Sequence, residues 1–195
     1  MRLKIKLKLK NITLDNIALE TAKVLNQALG HNHKWHDMEH KPYTCSFIMG
    51  GSLENKQFDF KEKPAFFYIN TEDVEVIEAI TKTGSDYDIQ NIKTFNGYNW
   101  LSVKRIQYYS MGKLRHITNE NKEAFINYVK NKYNVNIEIH KIKNSFVTYK
   151  GNSKLPVNDL LIRCVNEKNV SSLFESGIGG CSSIGFGFVE PVYSI

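Results

Sequence analysis

The chain has 195 residues with 42% hydrophobic, 12% aromatic and 24% charged content, enough for a packed core and suited to one α/β domain or two compact halves of roughly 100 residues. Its net charge of +6 is unevenly spread: residues 51–100 carry five Lys against nine Asp and Glu, and residues 101–150 carry ten Lys and Arg against three Glu, which points to a polyanion-facing surface in the second half or, more plainly, to a solvated basic helix and loops. Three scattered cysteines (Cys45, Cys164, Cys181) without a CxxC, an N-terminus without an apolar signal core and no long apolar run exclude a disulfide framework, a zinc ribbon and a membrane span, and lead us to expect a cytoplasmic protein.

Residues 2–10 alternate, with Leu3, Ile5, Leu7 and Leu9 on one face and Arg2, Lys4, Lys6, Lys8 and Lys10 on the other, a half-buried strand. Its basic face suits either RNA contact or protection of a sheet edge. Residues 14–29 change to helical period, through Leu14, Ile17, Ala18, Ala22, Leu25, Ala28 and Leu29, with Gly30 placed as the stop. A polar connection, His31 to Lys41, leads to a strand at Tyr43–Met49 closed by Gly50-Gly51. A strand at Ala65–Asn70, a short helix from Glu72 to Lys82 with Val76, Ile77 and Ile80 inward, and a strand at Ile89–Phe95 complete the half.

The second half repeats this order. A strand at Leu101–Ser110 precedes a helix from Thr118, its predicted N-cap, to Tyr133. Strand or hairpin segments cover Ile137–Tyr149, a strand covers Val157–Val165, a short helix runs over Glu167–Ser176, and Ile184–Tyr193 is the last strand. The order β-α-β-β-α-β occurs twice. The predicted fold is therefore α+β, two tandem ferredoxin-like (RRM-like) halves, residues 1–97 and 98–195, with the boundary near Asn96–Asn99.

Five of the eleven residues in 177–187, GIGGCSSIGFG, are glycine. Such a run permits positive φ and close approach of another molecule, with N–H groups that can ring an anion and hydroxyls from Ser182 and Ser183. The alternative is a tight turn and bulge before a terminal strand. It is neither a P-loop nor a dinucleotide fingerprint, since no Gly-Lys-Ser/Thr and no helix follow.

The stretch GIGGCSSIGFGFV resembles the C-terminal glycine-rich signature of the RAMP proteins, and within them the CRISPR-associated endoribonucleases that cut precursor CRISPR RNA in its repeats. Gly177, Gly179, Ser183, Gly185 and Gly187 match that pattern position by position. Lys41-Pro-Tyr-Thr-Cys-Ser46 matches the strand that follows the family's histidine loop, and Leu101-Ser-Val-Lys-Arg-Ile106 loosely resembles the strand opening its second half. The basic residue common in the family's glycine loop is replaced by Gly180-Cys181-Ser182, which moves phosphate neutralisation elsewhere.

Four of the six histidines lie in residues 31–40, HNHKWHDMEH. Imidazole can take the proton of a 2′-hydroxyl and return one to a leaving 5′-oxygen, so one general acid–base histidine cuts RNA without a metal, and a lysine can stabilise the growing phosphate charge. The resemblance implies His36 as catalyst and His33 as second choice, with Lys41 and Tyr43 stabilising or positioning the phosphate, and 2′,3′-cyclic phosphate and 5′-hydroxyl products. A tyrosine that assists from the first helix in some members has no counterpart in residues 14–29. Two other readings stay open: a surface loop anchored by Trp35, and a metal site, because His36-Asp-Met-Glu-His40 has the H-x-x-E-H pattern of inverted zinc proteases. That pattern needs a helix, and Gly30 and Pro42 leave little room for one. No metal or cofactor is expected.

Candidate RNA contacts are Lys104, Arg105, Lys113, Arg115, Lys141 and Lys143, with Gly177, Gly179, Ser182, Ser183, Gly185 and Gly187 shaping a platform. Tyr108 and Tyr109 either stack on bases or fill the core, and His116 and His140 are surface or RNA-contacting residues. The expected partner is CRISPR repeat RNA, with other CRISPR effector subunits as further partners, for a monomer or homodimer away from membranes. The alternative function is a non-catalytic RNA-binding RAMP subunit of an effector complex.

Overall fold

The computed structural model describes residues 1–31, 33–38, 41–90, 99–149, 153–165 and 170–192. The chain divides into two compact units. The first comprises Met1–Asn91 with Thr148–Ser153 and Ser183–Gly185, and the second Ile92–Val147, Lys154–Ser182 and Phe186–Ile195.

In the first unit the elements are β1 (Arg2–Leu7), β2 (Asn11–Thr13), α1 (Ile17–Leu29), β3 (Tyr43–Cys45), β4 (Ser52–Glu54), β5 (Gln57–Asp59), β6 (Ala65–Thr71), α2 (Val74–Lys82) and β7 (Tyr87–Gln90). The main sheet has the order β3-β6-β1-β7, all antiparallel, and β2-β5-β4 form a small second sheet. Leu3, Ile5, Phe67 and Ile69 are fully buried with Ile17, Ala18 and Leu25 of α1 and Val76 and Ile80 of α2, and the two helices pack on each other. Thr21 ties α1 to the chain after β3: its hydroxyl donates to the Ile17 carbonyl at 2.8 Å and accepts the Ile48 N–H at 3.1 Å.

The predicted strand 2–10 ends at Leu7. Its last partner is Ala65, and the preceding residue, Pro64, has no N–H to offer. The chain instead restarts as β2 against β5. β1 is an interior strand between β6 and β7, so its basic face does not guard a sheet edge. Arg2 is buried, its Nε donating to Asn70 Oδ1 at 2.8 Å with the guanidinium 5.0 Å from the Tyr68 ring centre. Lys4 lies 4.2 Å above the Phe66 ring, and Lys6 pairs with Asp86 and Asp88. The strand predicted over Ile89–Phe95 begins earlier, at Tyr87, and residues 91–95 lie outside the described residues, as do residues 96–98 of the boundary predicted near 96–99.

The second unit contains β8 (Trp100–Ile106), the hairpin β9 (Tyr108–Ser110) and β10 (Lys113–Arg115), α3 (Lys122–Tyr133), β11 (Ile137–Tyr149) up to Val147, β12 (Ser153–Cys164) from Lys154, α4 (Val170–Ser176) and β13 (Phe188–Pro191). Its sheet order, β11-β12-β8-β13, is that of the first sheet with the corresponding strands. The core joins Leu101, Val103, Ile106, Phe125, Val129, Leu160, Ile162, Leu173 and Val189. The N-cap position of α3 is Asn121 and not Thr118, and no side chain caps the helix there; the Asn121 amide instead turns back on the preceding chain, its Oδ1 accepting the Thr118 N–H at 2.8 Å and its Nδ2 donating to the His116 carbonyl at 2.9 Å. The final strand is shorter than predicted because Gly185 and Gly187 hold φ of +101° and +63°, which no extended strand accommodates; residues 182–184 form a 3-10 turn.

Candidate functional site

Gly30, at φ +89°, ends α1, and the chain then turns repeatedly: His33 N–H donates to the Gly30 carbonyl, His36 N–H to that of His33, and Met38 N–H to that of Trp35, at 3.3, 3.0 and 3.3 Å. Trp35 is buried and meets the buried Tyr43 of β3 edge to face, ring centres 6.4 Å apart. Burial pushes the Tyr43 hydroxyl far above its ordinary pKa. The Lys41 ammonium sits inside the coil, donating to the carbonyls of Trp35, His36 and Met38 at 2.8, 2.9 and 2.9 Å. All three ammonium donors have acceptors, so the geometry makes Lys41 a clamp on the loop. Lys34 pairs with Glu75 of α2.

His33 and His36 come together, ring centres 6.0 Å apart, in different surroundings. The His36 side chain is 64% exposed, with Nδ1 2.9 Å from Asp37 Oδ1. A carboxylate accepting from Nδ1–H leaves the lone pair of neutral imidazole on Nε2, the atom that can exchange a proton with a substrate. The hydrogen bond to His36, then its charge, hold the Asp37 carboxyl below its ordinary pKa. His33 is half-buried. Its Nε2 lies 3.2 Å from Asn26 Oδ1 of α1, and its Nδ1 is buried without a partner. Burial first, then the neighbouring His36 and Lys41, lower its pKa. Among the described residues no three His, Cys, Asp or Glu side chains are grouped to hold a metal ion. Residues 34–37 form turns rather than a helix, and Glu39 and His40 of the H-x-x-E-H pattern lie outside the described residues.

The glycine run is built differently from the expected ring of free N–H groups. The N–H groups of Gly177, Ile178, Gly179, Gly180 and Gly187 donate to the Leu173, Gly187, Tyr133 hydroxyl, Gln107 and Lys104 oxygens. A Cβ on Gly179 would stand 2.6 Å from the Gln107 carbonyl, one on Gly185 2.7 Å from Phe47 Cδ1, and one on Gly187 would collide with the Ile178 carbonyl. These glycines therefore serve close packing of the chain on itself. The Ser183 carbonyl accepts from Cys45 Sγ at 3.3 Å. Ser182 and Ser183 are half-buried.

Lys104, Lys113, Arg115, Lys141 and Lys143 are exposed. Arg105 is not equivalent to them: it has φ +53°, its N–H donates to Asp159 Oδ1 at 2.7 Å, and burial lowers its pKa, opposed by Asp159. Tyr108 fills the core against Phe125, whereas Tyr109 is exposed beside Gly180. His116 packs edge-on against Phe146, and His140 lies 4.3 Å from the Trp100 ring and 3.6 Å from Glu138. A depression of about 520 Å³ lined by Ile117, Thr118, Asn119, Lys122, Ile142 and Asn144 contains none of the histidine loop. Asp37 and Asn26 are the loop partners that sequence reasoning missed. Asp37 was legible only as a neighbour of His36, and Asn26 only as a polar residue beside the apolar stripe of α1.

The fold is one that solved RAMP and CRISPR-associated proteins share. A structure described as "CRISPR associated protein Cas6" matches over 98% of this chain and 99% of its own, at TM-score 0.65 and 14% identity. One described as "An RAMP protein binding different RNA substrates" matches over 98% and 99%, at TM-score 0.65 and 17% identity. A third, "CRISPR endoribonuclease Cse3 bound to 19 nt RNA", covers 97% of each chain at TM-score 0.52 and 10% identity. At these identities the likeness is one of fold. No family model and no curated protein sequence matches the chain. Among the described residues no helix is long and apolar enough to cross a membrane.

Proposed function

We propose that the protein is a RAMP-type endoribonuclease that cuts precursor CRISPR RNA within its repeats, built from two tandem ferredoxin-like halves, residues 1–97 and 98–195. The reading is carried by the histidine loop, which presents an exposed His36 with a carboxylate at Nδ1 on a clamped coil. The likeness of fold to RNA-bound and CRISPR-associated structures and the glycine signature support it.

In the proposed reaction the His36 imidazole removes the proton of the 2′-hydroxyl next to the scissile phosphate. The 2′-oxygen bonds to phosphorus, the bond from phosphorus to the 5′-oxygen breaks, and that oxygen leaves with a proton returned by imidazolium. The products are a 2′,3′-cyclic phosphate and a 5′-hydroxyl, with no metal required. Lys41 keeps the loop coiled and its charge stays close to His36. Tyr43 supports Trp35 through their edge-to-face contact. RNA is held by the exposed Lys104, Lys113, Arg115, Lys141 and Lys143 together with Arg105, and the run from Gly177 through Gly179, Ser182, Ser183 and Gly185 to Gly187 shapes an RNA platform.

The test is incubation of purified protein with CRISPR repeat RNA in EDTA, followed by end-group analysis. Wild-type protein should cut at one position in the repeat, and His36→Ala should lose roughly 10²–10⁴-fold in rate. Full activity of a His33/His36 double alanine variant overturns the mechanism. Repeat binding without cleavage assigns the chain instead to the non-catalytic RAMP subunits.

A further inference from the structure

Neither nitrogen of His33 is available to a substrate. Nε2 faces Asn26 Oδ1 at 3.2 Å, and Nδ1 is buried without a partner. The ring is nevertheless well placed to act on its neighbours. It lies 5.7 Å from the Trp35 ring and 6.0 Å from the His36 ring, and the His33 carbonyl accepts the His36 N–H. The seat of the His33 ring and the place of His36 are therefore linked by adjacent rings and by one backbone hydrogen bond. Its anchor belongs to another element: Asn26 stands in the last turn of the 13-residue helix α1, which the buried Ile17, Val24, Leu25, Ala28 and Leu29 fix in the first unit's core.

We propose that Asn26 is a positioning residue for RNA cleavage, seating the His33 ring so that His36 is held at the substrate. The inference rests on the endoribonuclease reading above. Lys41 clamps the loop through its carbonyls, and Asn26 does so from the side-chain direction. The two contacts restrain one coil from opposite chemical ends. The polar atom is an acceptor: with Asn26 Oδ1 receiving Nε2–H, the imidazole is fixed in the Nε2–H tautomer. Burying the other nitrogen unpaired is unfavourable, so the ring has no reason to stay seated once the amide oxygen is removed.

The experiment compares Asn26→Ala and Asn26→Asp with wild type in single-turnover cleavage of repeat RNA, in RNA affinity and in histidine nitrogen chemical shifts. Alanine has the higher helix propensity, so α1 itself is not weakened by the first change. Asn26→Ala should bind RNA as wild type does, cleave roughly 10- to 100-fold more slowly, and lose the Nε2–H signature of His33. Asn26→Asp keeps an acceptor oxygen in the same place and should restore the rate to within about threefold of wild type. Wild-type cleavage by Asn26→Ala, or a loss of rate matched by an equal loss of RNA affinity, overturns the positioning role. Wild-type protein that binds repeat RNA without cutting it overturns the endoribonuclease reading, and with it the catalytic meaning of this contact.

Discussion

Gly187 holds φ +63° with the Ile178 carbonyl where its Cβ would be, its N–H donates to the Lys104 carbonyl at 2.8 Å, and its own carbonyl accepts the Ile178 N–H at 2.9 Å. Any side chain there meets both a disfavoured backbone conformation and a collision with backbone. Gly187→Ala should cost about 2–4 kcal/mol of stability, read by denaturant unfolding. His33 gives a pH-dependent expectation. Its pKa is lowered in the folded protein, while in the unfolded chain it titrates near the ordinary value of about 6.5. As pH falls through that value the unfolded chain binds the proton first, so the contribution of His33 is present above it and is lost towards the lower folded pKa. The exposed Asp37, with its pKa below the ordinary 3.8, acts in the same direction but in a more acidic window. The thermal midpoint of wild type should therefore fall more steeply than that of His33→Gln as pH drops from neutral to about 5.5; equal slopes would show that His33 takes up its proton as readily folded as unfolded.

At the scale of elements, the β9–β10 hairpin is fastened by one side chain. Asn158 of β12 is fully buried; its Oδ1 accepts the Ile117 N–H at 2.7 Å, and its Nδ2 faces the carbonyls of Ile106 and Arg115 at 3.1 and 3.3 Å. Asn158→Ala leaves these backbone groups buried and unpaired, and should destabilise the protein by about 2–4 kcal/mol. Amide exchange should show earlier opening of residues 108–117 than of β12 or α3. The long helices were legible because α1 keeps an apolar stripe over 13 residues. The hairpins β4–β5 and β9–β10 were not. Their turns place Asn55-Lys56 and Met111-Gly112 at positive φ, and of these four residues only Gly112 is glycine. The Thr118 cap failed because residues 118–121 form a turn before α3, with the Asn121 and Lys122 N–H groups donating to the Thr118 carbonyl and the Asn121 amide bonding back to Thr118 and His116.

On the scale of the whole molecule, the basic excess over residues 101–150 is displayed on exposed side chains of β8, β10 and β11. If these contact phosphates, replacing Lys113, Arg115, Lys141 and Lys143 singly by Gln should lower the slope of log binding constant against log salt by about 0.7–0.9 for each contact removed. Unchanged slopes in filter binding across a salt series would place the RNA elsewhere. The period of β1 and α1, the charge asymmetry and the glycine signature are all properties of neighbouring residues, and the sequence by itself determined them. Tertiary structure alone decided that β1 is an interior strand, because strand order depends on partners some 60 to 90 residues away. It likewise decided that the glycines pack against Gln107, Phe47 and Ile178 rather than standing open to solvent. It also separated two histidines that look alike in HNHKWH. His36 is exposed beside a carboxylate, and His33 is seated on an amide from the preceding helix. Accessibility and protonation are set by what folds against a side chain, and no local pattern carries that information.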